Sequence, residues 1–267
     1  PRNPEEAKIR DQYQSDENLQ SRISLHARYS ANPTSWMTWV FDQMELPPTG
    51  RVLELGAGPG TLWDANRSRL HQTCSLTLTD LSGGMIQTAR NTLKGMDAHI
   101  TFGVVDAQDL PFPNAHFTTT IANHVLYHVP DRGRAVAEID RVLDGSGTLY
   151  ATTVGESHMQ EMWQLLGPMV PGILTRVGAI SQGFTLENGA ALLGGIFDRV
   201  ERLDYEDSLI ITEIEPVLQY LDSTTTMMDL ALTPAQREAL REVVAARIRA
   251  EGAFRVKKAS GLFIAHK

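Results

Sequence analysis

The stretch VLELGAGPG, residues 52–60, places a short apolar segment with one acid directly before a loop that has glycine at every second position. The acid is Glu54, and the glycines are Gly56, Gly58 and Gly60. A buried strand that runs into a glycine-rich turn is typical of the first strand of a parallel sheet that binds a nucleotide-like ligand. The stretch therefore raises the question of which ligand this turn holds.

Strand-like and helix-like segments alternate after the turn. The predicted strands are short apolar runs at 51–57, 74–80, 99–107, 117–126 and 147–154. Ser82 is a plausible N-cap for the helix after the second strand, and Gly145 is the expected end of the helix before the fifth. This alternation is typical of βαβ units and predicts an α/β fold with a doubly wound, mostly parallel sheet.

The remaining segments predict helical insertions and two further strands. Strands are expected at 200–212 and from Phe254 onward, and Thr233 and Gln236 form a capping box for a helix between them. We predict one domain over 1–267, with a core that carries the ligand and additional helical parts around it. These parts are an N-terminal helical cap at 1–48, the core at 50–154, and lid insertions over the substrate site at 155–199 and 213–232.

Composition excludes several classes of protein. The net charge of −8 disfavours a general nucleic-acid binder, because such proteins neutralise phosphates with lysine and arginine. The single cysteine, Cys74, excludes an internal disulfide framework and a cysteine-rich metal site, and we predict no metal. The first residues are polar and no apolar run reaches 18 residues, so we expect no signal peptide, no membrane span and a cytoplasmic location.

Two kinds of cofactor compete for the glycine loop. A nicotinamide or flavin dinucleotide requires the spacing G-x-G-x-x-G, and its third glycine would fall on Thr61. The third glycine is Gly60 instead, which gives E-x-G-x-G-x-G. An NAD(P)-dependent oxidoreductase is thus the disfavoured alternative.

Each of the first three predicted strands carries an acid at or near its end, and these acids distinguish the two kinds of cofactor. Glu54, Asp80 and Asp106 come at or near the strand ends, which meet at one edge of a parallel sheet. Three carboxylates would repel a pyrophosphate but suit a cationic ligand with a ribose diol and an amino group. We therefore predict S-adenosylmethionine, with Asp80 on the ribose hydroxyls and Asp106 on the adenine amino group.

The segment from Arg51 to about Val154 resembles class I S-adenosylmethionine-dependent methyltransferases, in particular the small-molecule branch similar to the ubiquinone/menaquinone biosynthesis methyltransferases. The resemblance covers about 100 residues and implies a seven-stranded Rossmann-like sheet whose last strand is antiparallel and inserted. The matching segments are VLELGAGPG (52–60), LTDLSGGMIQTAR (78–90), VVDAQDLPFPNAHF (104–117) and HVLYHVPDRGRAVAEIDRVLDGSGTLY (124–150).

The resemblance also implies roles for particular residues, each around one part of S-adenosylmethionine, with S-adenosylhomocysteine as product. The methionine end would contact Glu54, the loop Gly56, Ala57, Gly58 and Gly60, the backbone carbonyl of Asn123, and Tyr29. The ribose would contact Asp80, and the adenine would contact Leu81, Met85, Asp106 and the backbone N–H of Ala107.

Residues just past the fourth strand are candidates for acid–base chemistry. A base is needed only if the methyl acceptor must lose a proton, and the candidates are His128, His124 and Tyr127. The tetrad Asn123, His124, Val125 and Leu126 lacks the prolines and aromatic residue of amino-methylating nucleic-acid enzymes. We expect a small organic acceptor, methylated on O, N or C, and a monomer or homodimer.

One alternative keeps the cofactor and changes the function. A catalytically silent S-adenosylmethionine-binding protein, or an enzyme that uses the cofactor for something other than methylation, would preserve the same glycine loop and acids. The sequence alone does not separate these possibilities.

Overall fold

The structure is a computed structural model that describes residues 24–71, 73–96, 98–228 and 230–267, without the side chains of 179–181 and 227. Its strands are β1 Arg51–Leu55, β2 Ser75–Asp80, β3 His99–Val104, β4 Phe117–Asn123, β5 Leu143–Val154, β6 Arg199–Ile211 and β7 Phe254–His266.

The helices lie between these strands, in the alternation that the sequence predicted. They are α1 Trp36–Asp42, α2 Thr61–Ala65, α3 Gly83–Thr92, α4 Arg132–Val142, α5 Gln160–Leu166, α6 Ile173–Ser181, α7 Gly189–Leu193, α8 Ile214–Met227 and α9 Pro234–Glu251. Residues 24–29 are also helical, and short 3-10 turns cover Arg67–Arg69 and Leu126–His128.

The strands form one seven-stranded sheet in the order β3-β2-β1-β4-β5-β7-β6. The pairs β2·β3, β1·β2, β1·β4 and β4·β5 are parallel, whereas β5 and β7 are antiparallel. The predicted doubly wound sheet and its inserted antiparallel strand are confirmed. The strand order reverses between β1 and β4, which is where open α/β sheets bind ligands.

The chain divides into two compact units. One contains Trp36–Glu156, Ile180–Tyr205 and Ser260–Lys267, and its core lies on both faces of β1, β2, β4 and β5. The other contains Pro1–Ser35, Ser157–Ala179 and Glu206–Ala259, and its core is formed by apolar side chains of α5, α8 and α9 with parts of β6 and β7. We call them the sheet unit and the helical unit; the proposed single domain with a cap and two lids stays a prediction.

Local sequence signals explain several helix boundaries. The Ser82 hydroxyl accepts a hydrogen bond from the backbone N–H of Met85 and begins α3 as predicted. The capping box of Thr233 and Gln236 begins α9, also as predicted. Both helices bury an apolar stripe, which stabilises a helix more than propensity does.

Several boundaries differ from the prediction: β1 ends at Leu55 rather than at residue 57, β4 ends at Asn123 rather than at residue 126, and β5 begins at Leu143 rather than at residue 147. Helix α4 ends at Val142 rather than at Gly145, and β5 begins at once with Leu143, whose backbone is extended. Leu143 is fully buried, and its packing in the core therefore outweighs the helix-ending tendency of the glycine.

No helix among the described residues is long and apolar enough to cross a membrane.

Candidate active site

The glycine loop follows β1 and reverses the chain into α2. Gly56, Gly58 and Gly60 have φ angles of +64°, +53° and +81°, a region that side chains other than glycine rarely adopt. The Ala57 N–H donates to the Thr79 carbonyl at 2.8 Å, which ties the loop to β2. The three glycines are therefore required by the backbone of this turn.

Space around the loop differs from one glycine to the next. A Cβ at Gly56 would lie 2.5 Å from a methyl carbon of Val125, and one at Gly60 would lie 3.0 Å from a methyl carbon of Leu93. A Cβ at Gly58 would have nothing within 4 Å. Gly58 thus exposes backbone to open space, where a ligand has room to approach.

Asp80 at the end of β2 is bonded to the glycine loop. Its Oδ2 accepts a hydrogen bond from the Gly58 N–H at 3.0 Å, and its Oδ1 accepts from the Ser82 N–H at 2.8 Å. Burial raises the pKa of Asp80, while these backbone donors act to lower it. The carboxylate is held rigidly beside the loop, with lone pairs left to accept from a diol.

Glu54 is the most deeply buried of the three acids. It is 2% exposed, and its Oε2 accepts a hydrogen bond from Trp63 Nε1 at 2.6 Å. Burial raises its pKa to about 7, the Trp63 hydrogen bond acts against this shift, and the charge of Asp80 adds to it. A cation at this place would favour the ionised carboxylate.

Asp106 lies two residues beyond β3, since that strand ends at Val104 and not at Ala107 as predicted. Its Oδ1 accepts from the backbone N–H of Gln108 at 2.9 Å and from the Gln108 amide at 3.0 Å. Because β1, β2 and β3 are adjacent and parallel, their carboxyl ends bring the three acids to one edge of the sheet. Leu81 is half-buried and Met85 is buried beside this edge, and Ala107 follows Asp106 directly.

The end of β4 carries a second group of polar contacts. The Thr152 hydroxyl donates to Oδ1 of Asn123 at 2.6 Å and accepts from the His124 N–H at 2.9 Å. His124 has a φ of +53°, which is uncommon for a residue with a side chain. Strained backbone of this kind is often found at functional sites.

Aromatic rings continue from this strand end through the 3-10 turn. The ring of His124 lies 5.1 Å from that of Trp36 and 6.1 Å from that of Tyr127, and His128 lies 4.5 Å from Tyr127. The structure thus groups the three predicted acid–base residues at the carboxyl end of β4, beside the strand-order reversal.

Tyr29 belongs to the helical unit, whereas the other predicted residues belong to the sheet unit. It is buried in the core of the helical unit, and burial raises its pKa. Its predicted contact with the methionine end stays a prediction.

The sequence did not predict three contacts of this site. Trp63 donates to Glu54, Thr152 accepts from the backbone of His124, and Val125 packs against Gly56. Trp63 lies nine residues after Glu54, in the next element of the chain, so the periodicity of neither the strand nor the helix indicates their contact. Thr152 had no distinct signal, because it is one of three threonines in the predicted strand GTLYATTV.

Comparison with known families agrees with this geometry. Residues 53–151 match the family described as "Methyltransferase domain". The chain is 29% identical over 116 residues to the ubiquinone/menaquinone biosynthesis C-methyltransferase UbiE of Psychromonas ingrahamii, which is 43% of this chain and 46% of that protein. Residues 53–151 are thus a methyltransferase domain similar to those of class I S-adenosylmethionine-dependent methyltransferases. It spans about half the length of the curated relatives it matches.

Solved structures share the fold of the methyltransferase domain. Phosphoethanolamine N-methyltransferase 2 of Haemonchus contortus, in complex with phosphomonomethylethanolamine and S-adenosylhomocysteine, matches 99% of this chain and 60% of its own, with a TM-score of 0.63 and 16% identity. The cyclase SpnF matches 97% of this chain and 94% of its own, with a TM-score of 0.60 and 18% identity.

S-adenosylmethionine is the cofactor of this class of domain, and the residues present fit it. The loop leaves open space at Gly58, Asp80 is fixed beside it, and the buried Glu54 suits a cationic ligand. No group of three or more histidine, cysteine, aspartate or glutamate side chains in the described parts of the chain could hold a metal ion.

Proposed function

We propose that the protein transfers the methyl group of S-adenosylmethionine to a small organic acceptor, on O, N or C. The observation that carries the proposal is the connection of Asp80 to the glycine loop, at the edge where the strand order reverses. Methyl transfer needs both a held cofactor and an adjacent acceptor, and the group at the end of β4 lies on the strand next to β1.

The proposed cofactor contacts follow the order of the strands. Glu54, the backbone of the loop from Gly56 through Ala57 and Gly58 to Gly60, and the Asn123 carbonyl hold the methionine end, to which we add Tyr29. Asp80 accepts from the ribose hydroxyls. The adenine lies by Leu81 and Met85, with Asp106 and the Ala107 N–H at its polar edge.

The chemistry needs little beyond alignment. When bound, the cofactor supplies a methyl group that is already activated for in-line displacement from its sulfonium. Proximity and orientation in well-aligned pairs supply ~7–11 kcal/mol in model systems. The protein's task is therefore to fix the acceptor atom on the line of displacement and to exclude water.

A base acts where the acceptor atom carries a proton. His128 and His124 flank Tyr127 on the turn after β4, and an imidazole takes up a proton near neutral pH without a large perturbation. We propose His128 as the base, with His124 and Tyr127 beside it. A carbon or amine nucleophile that is already deprotonated would need none of them.

The acceptor class follows from charge and from the relatives. The net charge of −8 disfavours nucleic acid, and the curated relatives are C-methyltransferases of quinone biosynthesis. We propose that the insertions 155–199 and 213–232 cover the acceptor site together with the N-terminal cap 1–48, of which residues 1–23 lie outside the described part of the chain. A cytoplasmic location is part of the same proposal.

The test is calorimetric titration of the purified chain with S-adenosylmethionine, S-adenosylhomocysteine and NADH, repeated on Asp80→Ala. We expect both adenosyl ligands to bind and the variant to lose affinity by about 100-fold, because a charge-assisted ribose contact and the loop bond disappear together. Asp109→Ala is the matched control, since Asp109 is an exposed acid near the same edge.

Each other outcome has a definite meaning. Binding of NADH, or of neither adenosyl ligand, would refute the cofactor assignment. Adenosyl binding without methyl transfer to any member of an acceptor panel, followed by mass spectrometry, would favour a silent or non-methylating protein.

A further inference from the structure

Helix α4 carries an arginine near each end, and their surroundings differ. Arg141 donates to Glu138 at 2.7 and 2.8 Å, to the Asn114 side chain at 2.8 Å, and to the carbonyls of Phe112 and Leu110 at 2.8 Å. These bonds use the whole guanidinium in fastening the segment before β4 to the helix. Arg141 is thus a structural residue.

Arg132, the first residue of α4, has far fewer partners. A terminal nitrogen of its guanidinium donates to the Tyr127 carbonyl at 3.4 Å, a long hydrogen bond. Its Nε is buried and has no acceptor among the residues that the structure describes. A buried donor left without an acceptor destabilises the fold, so a ligand that supplies an acceptor to this nitrogen would be bound favourably.

The position of the Arg132 guanidinium is set by a glycine. A Cβ at Gly183 would lie 1.8 Å from Cζ of Arg132 and 2.0 Å from its Nε. The planar group therefore packs flat against backbone that no side chain covers. Any residue larger than glycine would displace it.

The charge of Arg132 is also uncompensated within the described residues. No carboxylate oxygen there lies within 4 Å of its nitrogens, whereas Arg141 is paired with Glu138. A partly buried guanidinium keeps its charge and binds carboxylate or phosphate oxygens through two parallel N–H donors. The missing partner thus has the chemistry of an oxyanion.

Arg132 reaches the turn that bears the proposed acid–base residues. Its guanidinium is bonded to the backbone of Tyr127, whose ring contacts those of His124 and His128. We propose that Arg132 binds an oxyanion of the methyl acceptor, a carboxylate or a phosphate, and thereby selects anionic acceptors. That the ligand is the methyl acceptor rests on the proposed function, whereas its anionic character rests on the surroundings of Arg132.

The anion is tested without turnover by following arginine Nε–H signals in nitrogen-15 NMR spectra of the full chain. The probes are sodium acetate and inorganic phosphate, with sodium chloride at equal ionic strength as reference, and Arg132→Lys assigns the signal by removing it. We expect the Arg132 signal to shift and saturate with acetate or phosphate but not with chloride. The Arg141 signal is the internal control and should stay in place.

Two variants separate a specific site from a general charge effect. Gly183→Ala keeps the charge and displaces the guanidinium, so we expect oxyanion affinity to fall about tenfold. Arg132→Gln should raise the KM of an acceptor that carries the oxyanion about tenfold or more, leave its kcat and the S-adenosylmethionine affinity within about twofold, and leave the KM of the corresponding neutral ester unchanged.

Three results would overturn the inference. The first is an Arg132 signal that shifts with neither acetate nor phosphate, and the second is a signal that shifts equally with chloride. The third is an equal rise in KM for the anionic acceptor and for its neutral ester, in both Arg132→Gln and Arg132→Lys. The last result would show that Arg132 only supports the turn. A failure of S-adenosylmethionine to bind leaves the NMR result intact, so the two proposals fail separately.

Discussion

The glycine loop with Asp80 and the turn from Asn123 to Arg132 flank the same strand-order reversal, yet they are built in opposite ways. In the loop, each acid already has partners: Asp80 is bonded to two backbone N–H groups and Glu54 to Trp63. In the turn, His124 has a strained backbone and Arg132 keeps a buried donor without an acceptor among the described residues. The first region is complete before any ligand arrives, and the second is not.

This difference matches the two proposed tasks of the site, which are to bind the cofactor and to recognise the acceptor. A cofactor that is always the same favours a rigid loop whose polar groups hold one another in place. An acceptor differs from enzyme to enzyme, and the groups that recognise it stay unsatisfied until it binds. Variants in the loop should therefore affect cofactor binding, whereas variants in the turn should affect the binding or the conversion of the acceptor.

The largest expected effect comes from His128→Ala. We expect turnover to fall by about 10²–10⁴-fold, as for loss of a general base, while S-adenosylmethionine affinity changes little. Steady-state kinetics beside calorimetry measures both quantities. His99→Ala, on an exposed histidine at the start of β3, is the control.

An unchanged turnover in His128→Ala would retire it as the base. The same pair of measurements on His124→Ala then decides whether the neighbouring ring takes that role. A loss of cofactor affinity equal to the loss of turnover would break the division between the loop and the turn.

The next largest effect is a pH dependence of the free energy of unfolding, which is caused by Glu54 in β1. The pKa of Glu54 is raised from 4.5 to about 7 by burial, so the folded chain binds this proton more tightly than the unfolded chain does. The resulting stabilisation is complete below the unfolded pKa and is lost as the pH rises through about 7, a change of ~3 kcal/mol.

Glu54→Gln should remove this part of the pH dependence, because the amide oxygen still accepts from Trp63 Nε1 and carries no charge. Urea denaturation at several pH values measures it, with Glu156→Gln, an exposed acid, as control. Asp80, whose pKa is also raised by burial, contributes a slope of the same sign, which remains in the variant. Equal slopes in the variant and the parent chain would contradict the assignment.

The smallest expected effect is a difference in stability between alanine variants of two glycines in the loop. Gly56→Ala combines a positive φ with overlap on Val125 and should destabilise the fold by about 3 kcal/mol. Gly58→Ala has the positive φ without overlap and should cost about 1 kcal/mol, but its methyl group enters the open space and should weaken cofactor binding about tenfold.

Urea denaturation and calorimetry on both variants separate these effects. Gly145→Ala is the control, since it has open space and no positive φ. If Gly58→Ala left cofactor affinity unchanged, the open space beside it would not be the cofactor's path.

The sheet and the acidic edge could be predicted because they follow from local signals. Apolar runs of strand length, the N-cap Ser82 and the glycine spacing each act within a few residues. The contact of Trp63 with Glu54, the Thr152 bonds and the packing of Arg132 on Gly183 depend on residues brought together by the fold. No periodicity in the sequence encodes those contacts.

The error at the end of α4 has the same origin. Gly145 carries a local signal for ending a helix, but Leu143 is pulled into the core as the first residue of β5. Burial of a leucine side chain is worth about 1.5–3 kcal/mol, which exceeds the preference of one glycine. Tertiary packing therefore set the end of the helix at Val142, three residues before the sequence signal.

The inserted position of β7 has a consequence for how the sheet is made. Strand β5 ends at Val154, and its neighbour β7 begins at Phe254, about 100 residues later. At a synthesis rate of roughly 5–20 residues per second, β5 waits about 5–20 s with an unpaired edge. During that time any strand of suitable register can pair with it, whether from the same chain or from another. The two pairings of β7, with β5 and with β6, are thus the last that a growing chain is able to close, and the nascent protein is exposed to misassembly at the edge of β5 until then.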